Sequence, residues 1–188
     1  RSTLASSSAA SDVYKRQMKD RQERYPLKKI KKNAVCAEVG VWRGDLSLDI
    51  LTKNPKKLHL IDPWIHQDYK AMMYSAGQDR MDRIYNHVHT EFKDDSRVEI
   101  HRNFSTDVEF PKEYFDWVYI DGNHTYPMVC KDLEFYYPLV KKGGYLCGDD
   151  YGWTSADCKL GPKPAVDEFV KTRNLKIEIV GWQFVISV

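Results

Sequence analysis

Ala34-Val35-Cys36-Ala37-Glu38-Val39-Gly40-Val41-Trp42-Arg43-Gly44 is the stretch on which the reading of the fold turns. The apolar run 34–37 has the length of a strand and ends in Glu38 and a glycine-bearing loop. Leu46, Ile50 and Leu51 then follow at helical spacing until Asn54-Pro55 stops the helix.

The alternation continues downstream. Leu58-His59-Leu60-Ile61 reads as a second strand, ending at Asp62-Pro63. A long polar stretch, 64–93, follows, and its second half sets Met81, Ile84, Tyr85, Val88 and Phe92 at helical spacing. Val98-Glu99-Ile100 is a third strand, and residues 115–120 are a fourth, ending at Asp121-Gly122. Residues 128–140 read as a helix broken near its end by Pro138. Lys141-Lys142-Gly143-Gly144 reads as a turn, and Tyr145-Leu146-Cys147 as a fifth strand ending at Asp149-Asp150. A helix over 166–171 is followed by two close strands, 176–180 and 182–188, around Gly181, the pattern of a terminal hairpin. Strands alternating with helices imply right-handed crossovers and a parallel sheet. The expected fold is therefore α/β: a Rossmann-like doubly wound sheet of seven strands, mostly parallel, with one antiparallel strand from the C-terminal hairpin.

Upstream, residues 18–32 are strongly charged, with Lys28, Lys29, Lys31 and Lys32 around Ile30, and read as a solvated face. Residues 1–17 are set aside as a non-native or disordered tail. The first ten are rich in serine and alanine, without an amphipathic period or a secretory apolar region, and residues 12–17 resemble the translation of a sequencing-library transposon end. On that reading Met18 need not be the natural start. Residues 18–188 make one domain, as the length of 188 suggests. The formal charge of +2, from 29 Lys and Arg against 27 Asp and Glu, gives no nucleic-acid footprint. No apolar run approaches the roughly 18 residues of a membrane helix. Four scattered cysteines show neither a Cys-x-x-Cys pair nor zinc spacing, and Cys36 and Cys147 fall in apolar runs, as reduced, buried thiols of a cytoplasmic protein would.

In a doubly wound sheet ligands sit beyond the C-terminal ends of the strands. Strands one, two, four and five end in Glu38, Asp62, Asp121 and Asp149-Asp150, so acidic residues collect on that edge. The loop 38–44 is not the Gly-x-Gly-x-x-Gly pattern that admits a pyrophosphate, which argues against a nicotinamide cofactor. Glu38 suits a ligand with a cationic end, Gly40 lets backbone approach it, and Gly44 opens a helix whose N-terminal amides can hold a carboxylate. S-adenosylmethionine carries both an ammonium and a carboxylate; a tight strand-to-helix turn with no ligand is the alternative. Asp62 is placed to accept hydrogen bonds from ribose hydroxyls, or else caps the turn before Pro63. Trp42 and Trp64 are candidates either for a wall of the cofactor site or for the core, and Asn103 for a contact near the adenine.

Asp121 and the pair Asp149-Asp150 form a second constellation. Adjacent carboxylates repel unless something positive stands between them and a partner. A hard divalent cation such as Mg²⁺ supplies that charge and keeps positions for water or substrate oxygens; a solvated Asp-Asp turn is the alternative. His124, three residues after Asp121, suits a general base for a substrate hydroxyl, or else caps the following helix. The other five histidines lack such a context and are assigned no role.

These residues resemble a known family. Glu38-x-Gly-x-x-x-Gly44 is similar to the first motif of class I S-adenosylmethionine-dependent methyltransferases. Ile120-Asp121-Gly-x-His124-x-Tyr126, Asp132-Leu133, Pro138-Leu139-Val140-Lys-x-Gly143-Gly144 and Asp149-Asp150-Tyr151 together resemble small-molecule O-methyltransferases related to the macrolide-sugar (macrocin-type) and catechol enzymes. The resemblance implies that Glu38 and the glycines hold the cofactor, that Asp62 holds its ribose, and that Asp121, Asp149 and Asp150 bind Mg²⁺, which orients an acceptor hydroxyl. Catechol-type enzymes carry lysine at the position of His124 and asparagine at that of Asp150, so the resemblance favours the sugar-modifying branch. The expected reaction is methyl transfer to a hydroxyl of a small molecule, a sugar or glycoside by preference, with His124 as base and Asp121 beside it. The competing readings are a metal-independent methyltransferase and a non-catalytic S-adenosylmethionine-binding partner domain. Residues 64–82, with Tyr69, Met72, Met73 and Tyr74, read as a lid or acceptor wall, and exposed aromatics there are compatible with a homodimer.

Overall fold

The computed structural model describes residues 24–67, 77–154 and 161–188. Seven strands form one sheet: β1 Val35–Val39, β2 Lys57–Ile61, β3 Val98–His101, β4 Phe115–Ile120, β5 Val140–Gly148, β6 Lys176–Val180 and β7 Gln183–Ser187. Their spatial order is β3-β2-β1-β4-β5-β7-β6. Strands β1 to β5 pair in parallel, and β7 runs antiparallel to both β5 and β6. This is the expected sheet, with the hairpin supplying its one reversed strand. The chain reverses its direction of winding at β1, which sits between β2 and β4, and that is where a ligand crevice opens.

Among the described residues, four α-helices cover the two faces: α1 Asp45–Leu51, α2 Gln78–Phe92, α3 Tyr126–Tyr136 and α4 Pro162–Arg173. On one face Leu46 and Ile50 of α1 and Met81, Ile84, Val88 and Phe92 of α2 pack on Cys36, Leu58, Leu60, Trp117 and Tyr119. On the other face Val129, Leu133 and Tyr136 of α3 and Ala165, Val166 and Phe169 of α4 pack on Ala37, Ile61, Val118 and Ile120. Alternate residues of β1 and β4 thus enter opposite cores, and each fully buried large side chain contributes about 1.5–3 kcal/mol. Cys36 and Cys147 are buried free thiols, as expected.

Two local readings change. The expected turn at 141–144 lies inside β5: the Gly143 N–H donates to the Val188 carbonyl (2.7 Å) and the Val188 N–H to that of Gly144 (3.1 Å). The glycine pair bends the strand, with a register shift against β4, without ending it. The basic segment is not wholly a solvated face either. Tyr25–Lys29 is a 3-10 turn with Pro26 and Leu27 buried, and the Pro26 carbonyl accepts a hydrogen bond from the Trp117 indole at 3.1 Å. Lys29 pairs with Glu178 at 2.6 Å, while Lys31 and Lys32 stay exposed. The expectations for residues 1–17, for Tyr69, Met72, Met73 and Tyr74 of the lid 64–82 and for Cys158 fall outside the described residues. Among the described residues no helix is long and apolar enough to cross a membrane.

Candidate active site

The acidic residues meet on one edge because the parallel ladder continues one step past each strand. Asp62 N–H donates to His101 O, Gly40 N–H to Ile61 O, Asp121 N–H to Val39 O and Asp149 N–H to Ile120 O. That row of bonds sets Asp62, Gly40, Asp121 and Asp149 side by side at the C-terminal ends of β2, β1, β4 and β5. Gly40 stands at φ +88°, and a Cβ there would lie 2.2 Å from the Asp121 carbonyl oxygen. The expected reason for this glycine was approach to a ligand; the structure shows close approach to the neighbouring strand end. Gly44, at φ +82°, is the N-cap of α1, and its missing side chain leaves room for the ring of Phe92.

On the β1–β2 side the acids are engaged with the protein's own backbone. Asp62 Oδ2 accepts the N–H groups of Val41 and Trp42, each at 3.0 Å, and Oδ1 accepts that of Trp64 at 2.7 Å. Burial raises the Asp62 pKa, and these three N–H donors oppose the rise. Glu38 lies inside β1, 1% exposed, and accepts a 2.6 Å hydrogen bond from the Ser47 hydroxyl of α1. Its pKa is raised well above the ordinary range, chiefly by burial. Trp64 belongs to the core, and its indole N–H donates to the Trp42 carbonyl at 2.9 Å. Trp42 is half-buried at φ +53°, with the Arg43 and Arg80 guanidinium carbons each 5.8 Å from its ring centroid. Asn103, on the exposed loop after β3, donates to the Asp107 carbonyl at 3.2 Å.

On the β4–β5 side the acids face one another around a cation that the sequence did not single out. Arg24 Nη1 lies 3.1 Å from Asp121 Oδ2 and 2.7 Å from Asp149 Oδ2, and donates to the Tyr119 hydroxyl at 3.1 Å. The positive charge expected between the carboxylates is thus supplied, in this structure, by a guanidinium from the N-terminal segment. Asp150 turns instead to His124, whose Nε2 is 3.2 Å from Asp150 Oδ2 and 4.0 Å from Asp121 Oδ1. The His124 ring also meets Trp153 edge-on at 5.3 Å. The alternative role of His124 as a helix cap does not apply, since the N-cap of α3 is Thr125 and its N–H is taken by Asn123 Oδ1. Burial pushes Asp121 up to about 7, with Arg24 pulling it down and Asp149 adding to the rise. Burial lowers the His124 pKa, and Asp150 and Asp149 resist that. Burial thus favours the uncharged imidazole.

Beside these acids opens a cleft of about 660 Å³, lined by Arg24, Lys28, Asp150, Trp153, Val180 and Trp182 among others. Trp182 is 57% exposed and Val180 44%. One donor atom each from Asp121, His124 and Asp150 lie within 4.8 Å of one another, close enough to share one ion. The guanidinium stands between Asp121 and Asp149, whereas the group that could share an ion joins Asp121 and Asp150 through His124; carboxylate oxygens of this kind fit a hard divalent cation.

A family model described as a methyltransferase domain matches residues 37–151, which contain both constellations. An uncharacterized protein, R132, of Acanthamoeba polyphaga mimivirus is 30% identical over 169 residues, covering 80% of this chain and 68% of the viral protein. Among solved structures, a Corynebacterium glutamicum protein superposes with a TM-score of 0.63 at 14% identity, covering 100% of this chain and 90% of that one. The N-methyltransferase NodS of Bradyrhizobium japonicum gives 0.61 at 12% identity, covering 94% and 93%. A geranyl diphosphate methyltransferase in complex with S-adenosylmethionine gives 0.58 at 12%, covering 82% and 62%. At such identities these structures are alike in fold.

Proposed function

We propose that this chain, which belongs to the methyltransferase-domain family, transfers the methyl group of S-adenosylmethionine to a hydroxyl of a small molecule, a sugar or glycoside by preference. The observation that carries the choice of a hydroxyl is the grouping of His124 with Asp121 and Asp150, beside a cleft that Asp149 and Asp150 line. Deprotonating a hydroxyl asks for a neutral base with nearby charge to steady its protonated form. His124 meets both conditions, since burial favours its neutral form and two carboxylates stand within 4.0 Å of its Nε2.

Cofactor binding is assigned to the β1–β2 side. Gly44 caps α1, whose first-turn backbone N–H groups are offered to the methionine carboxylate. Glu38, Gly40 and Trp42 shape the floor and wall, Asp62 is offered to the ribose and Asn103 to the adenine. Burial raises the Glu38 pKa, and an ammonium bound beside it would favour the ionised form. In the transfer the acceptor oxygen attacks the sulfonium methyl carbon, the carbon–sulfur bond breaks to leave a neutral thioether, and the hydroxyl proton passes to His124. Holding the two substrates in line accounts for much of the rate.

Mg²⁺ is assigned to Asp121, Asp149 and Asp150, where it would lower the pKa of the acceptor hydroxyl. Arg24 competes for the same carboxylates. That pairing favours a second reading, in which Arg24 is the resident cation and the enzyme needs no metal. Transfer of labelled methyl groups to a panel of sugars, glycosides and aromatic diols, with Mg²⁺ or with EDTA, decides between them. The first reading expects turnover to vanish in EDTA and in Asp149→Ala. Full turnover in EDTA supports the second, and S-adenosylhomocysteine binding without transfer to any acceptor points to a non-catalytic partner domain.

A further inference from the structure

Away from the acidic edge, three side chains of β2 and β3 converge on one point. The parallel register sets His59 opposite Glu99 and Ile61 opposite His101. Residues 99 and 101 are two apart on one strand, so both project to the same sheet face as His59. That face is the one covered by α3 and α4, on which Ile61 lies, opposite the face that carries Leu58 and Leu60. His59 Nδ1 lies 3.0 Å from His101 Nε2, Glu99 Oε1 lies 3.7 Å from His101 Nε2, and Glu99 Oε2 lies 3.9 Å from His59 Nδ1.

From this geometry we propose that His59 Nδ1, His101 Nε2 and the Glu99 carboxylate form a binding site for a divalent transition-metal ion, zinc in the first place. Donors about 2.0–2.1 Å from a tetrahedral zinc stand roughly 3.3 Å apart; the imidazole nitrogens at 3.0 Å and Glu99 Oε1 at 3.7 Å from His101 bracket that value. Two imidazoles and a carboxylate suit zinc or a similar borderline ion, and water completes the coordination. A hard ion such as Mg²⁺ gains little from the two imidazole nitrogens.

The surroundings orient the ligands. His59 Nε2 sits 3.2 Å from the Tyr114 hydroxyl, and a proton on that nitrogen leaves the Nδ1 lone pair turned towards His101 and Glu99. Phe110, Tyr114 and Phe115 ring His59 with edge-on contacts at 5.0–5.7 Å and fix its plane. Burial lowers the pKa of His59 to about 4 and that of His101 below its ordinary value, so both are in the neutral form that a metal requires. Lys57 stands 3.1 Å from Glu99 Oε2, which leaves Oε1 as the oxygen on offer beside His101. Glu99 is 50% exposed, so the site has an entrance. A bound ion here would clip the edge strand β3 to β2.

The test uses the full chain after chelation, in an Asp121→Ala background, which removes the acid common to the groupings on the acidic edge. Calorimetry with zinc, and the visible absorption of added cobalt(II), read binding. The expectation is one equivalent of zinc, a tetrahedral-type cobalt spectrum, and a rise in melting temperature with the metal. His101→Ala and Glu99→Gln should each weaken binding by tenfold or more while the far-UV circular dichroism stays unchanged. Both positions are partly exposed, so neither variant depends on refilling a core. No binding to the parent protein, or equal affinity in both variants, would show that the imidazole pair is only a hydrogen bond and overturn the proposal.

Discussion

The two halves of the ligand edge are built on opposite principles. On the β1–β2 side the acidic residues are turned inward: Asp62 takes three backbone N–H groups and Glu38 a serine hydroxyl, so the loop 38–44 is set before any ligand arrives. On the β4–β5 side the acids are turned towards one another and towards a cleft. A single guanidinium from another part of the chain balances Asp121 and Asp149. The first half is preorganised by hydrogen bonds, the second by charge. A cofactor common to a whole family calls for the first kind of site, and a proton-transfer reaction with a cation calls for the second.

The largest effect that could break this contrast comes from Gly40. In Gly40→Val the new side chain meets the Asp121 carbonyl at a backbone angle that favours glycine. Strain and overpacking together cost roughly 3–5 kcal/mol. The melting temperature should fall by on the order of 10 °C, and S-adenosylhomocysteine binding should be lost. Next comes Asp62→Asn, whose NH2 end faces N–H donors that it cannot accept from. Leaving buried donors unpaired costs about 1–3 kcal/mol, read in urea unfolding, and the cofactor analogue should bind more weakly because the loop loosens.

Asp121→Asn tests the charged half and should act in the opposite sense on stability. The folded pKa of Asp121 is about 7, above the unfolded value near 4. The folded state therefore holds more protons than the unfolded one between those values. The stability contributed by this group is present below pH 4 and is lost as pH rises towards 7. The variant should flatten that decline while abolishing turnover. Urea unfolding at pH 4.5, 6 and 7.5 reads the first effect, and a slope unchanged from the parent would remove Asp121 as its source. The smallest change is Trp182→Ala at the exposed rim of the cleft, expected to raise the acceptor KM severalfold with little change in kcat or in cofactor affinity.

Much of the contrast could be read from the residues alone. The strand-end positions of Asp62, Asp121 and Asp149 follow from periodicity, because each acid closes an apolar run within two residues, and the hairpin around Gly181 announced the reversed strand. What periodicity does not carry is the pairing of distant segments. Arg24 lay in a charged run with nothing to connect it to Asp121, 97 positions away. His59 and His101 had no visible relation until the parallel register placed them on one face. Glu38 was legible as a strand-end acid, but its burial beneath α1 depends on Ser47, a residue that no motif marks.

The central claim is that cofactor and cation bind to separate halves of one edge, and calorimetry on the parent and on Asp149→Ala tests it most directly. Each protein is titrated with S-adenosylhomocysteine and, separately, with Mg²⁺. The account predicts unchanged S-adenosylhomocysteine affinity and lost Mg²⁺ binding in the variant. Equal loss of both ligands, or Mg²⁺ binding that survives the substitution, would contradict it.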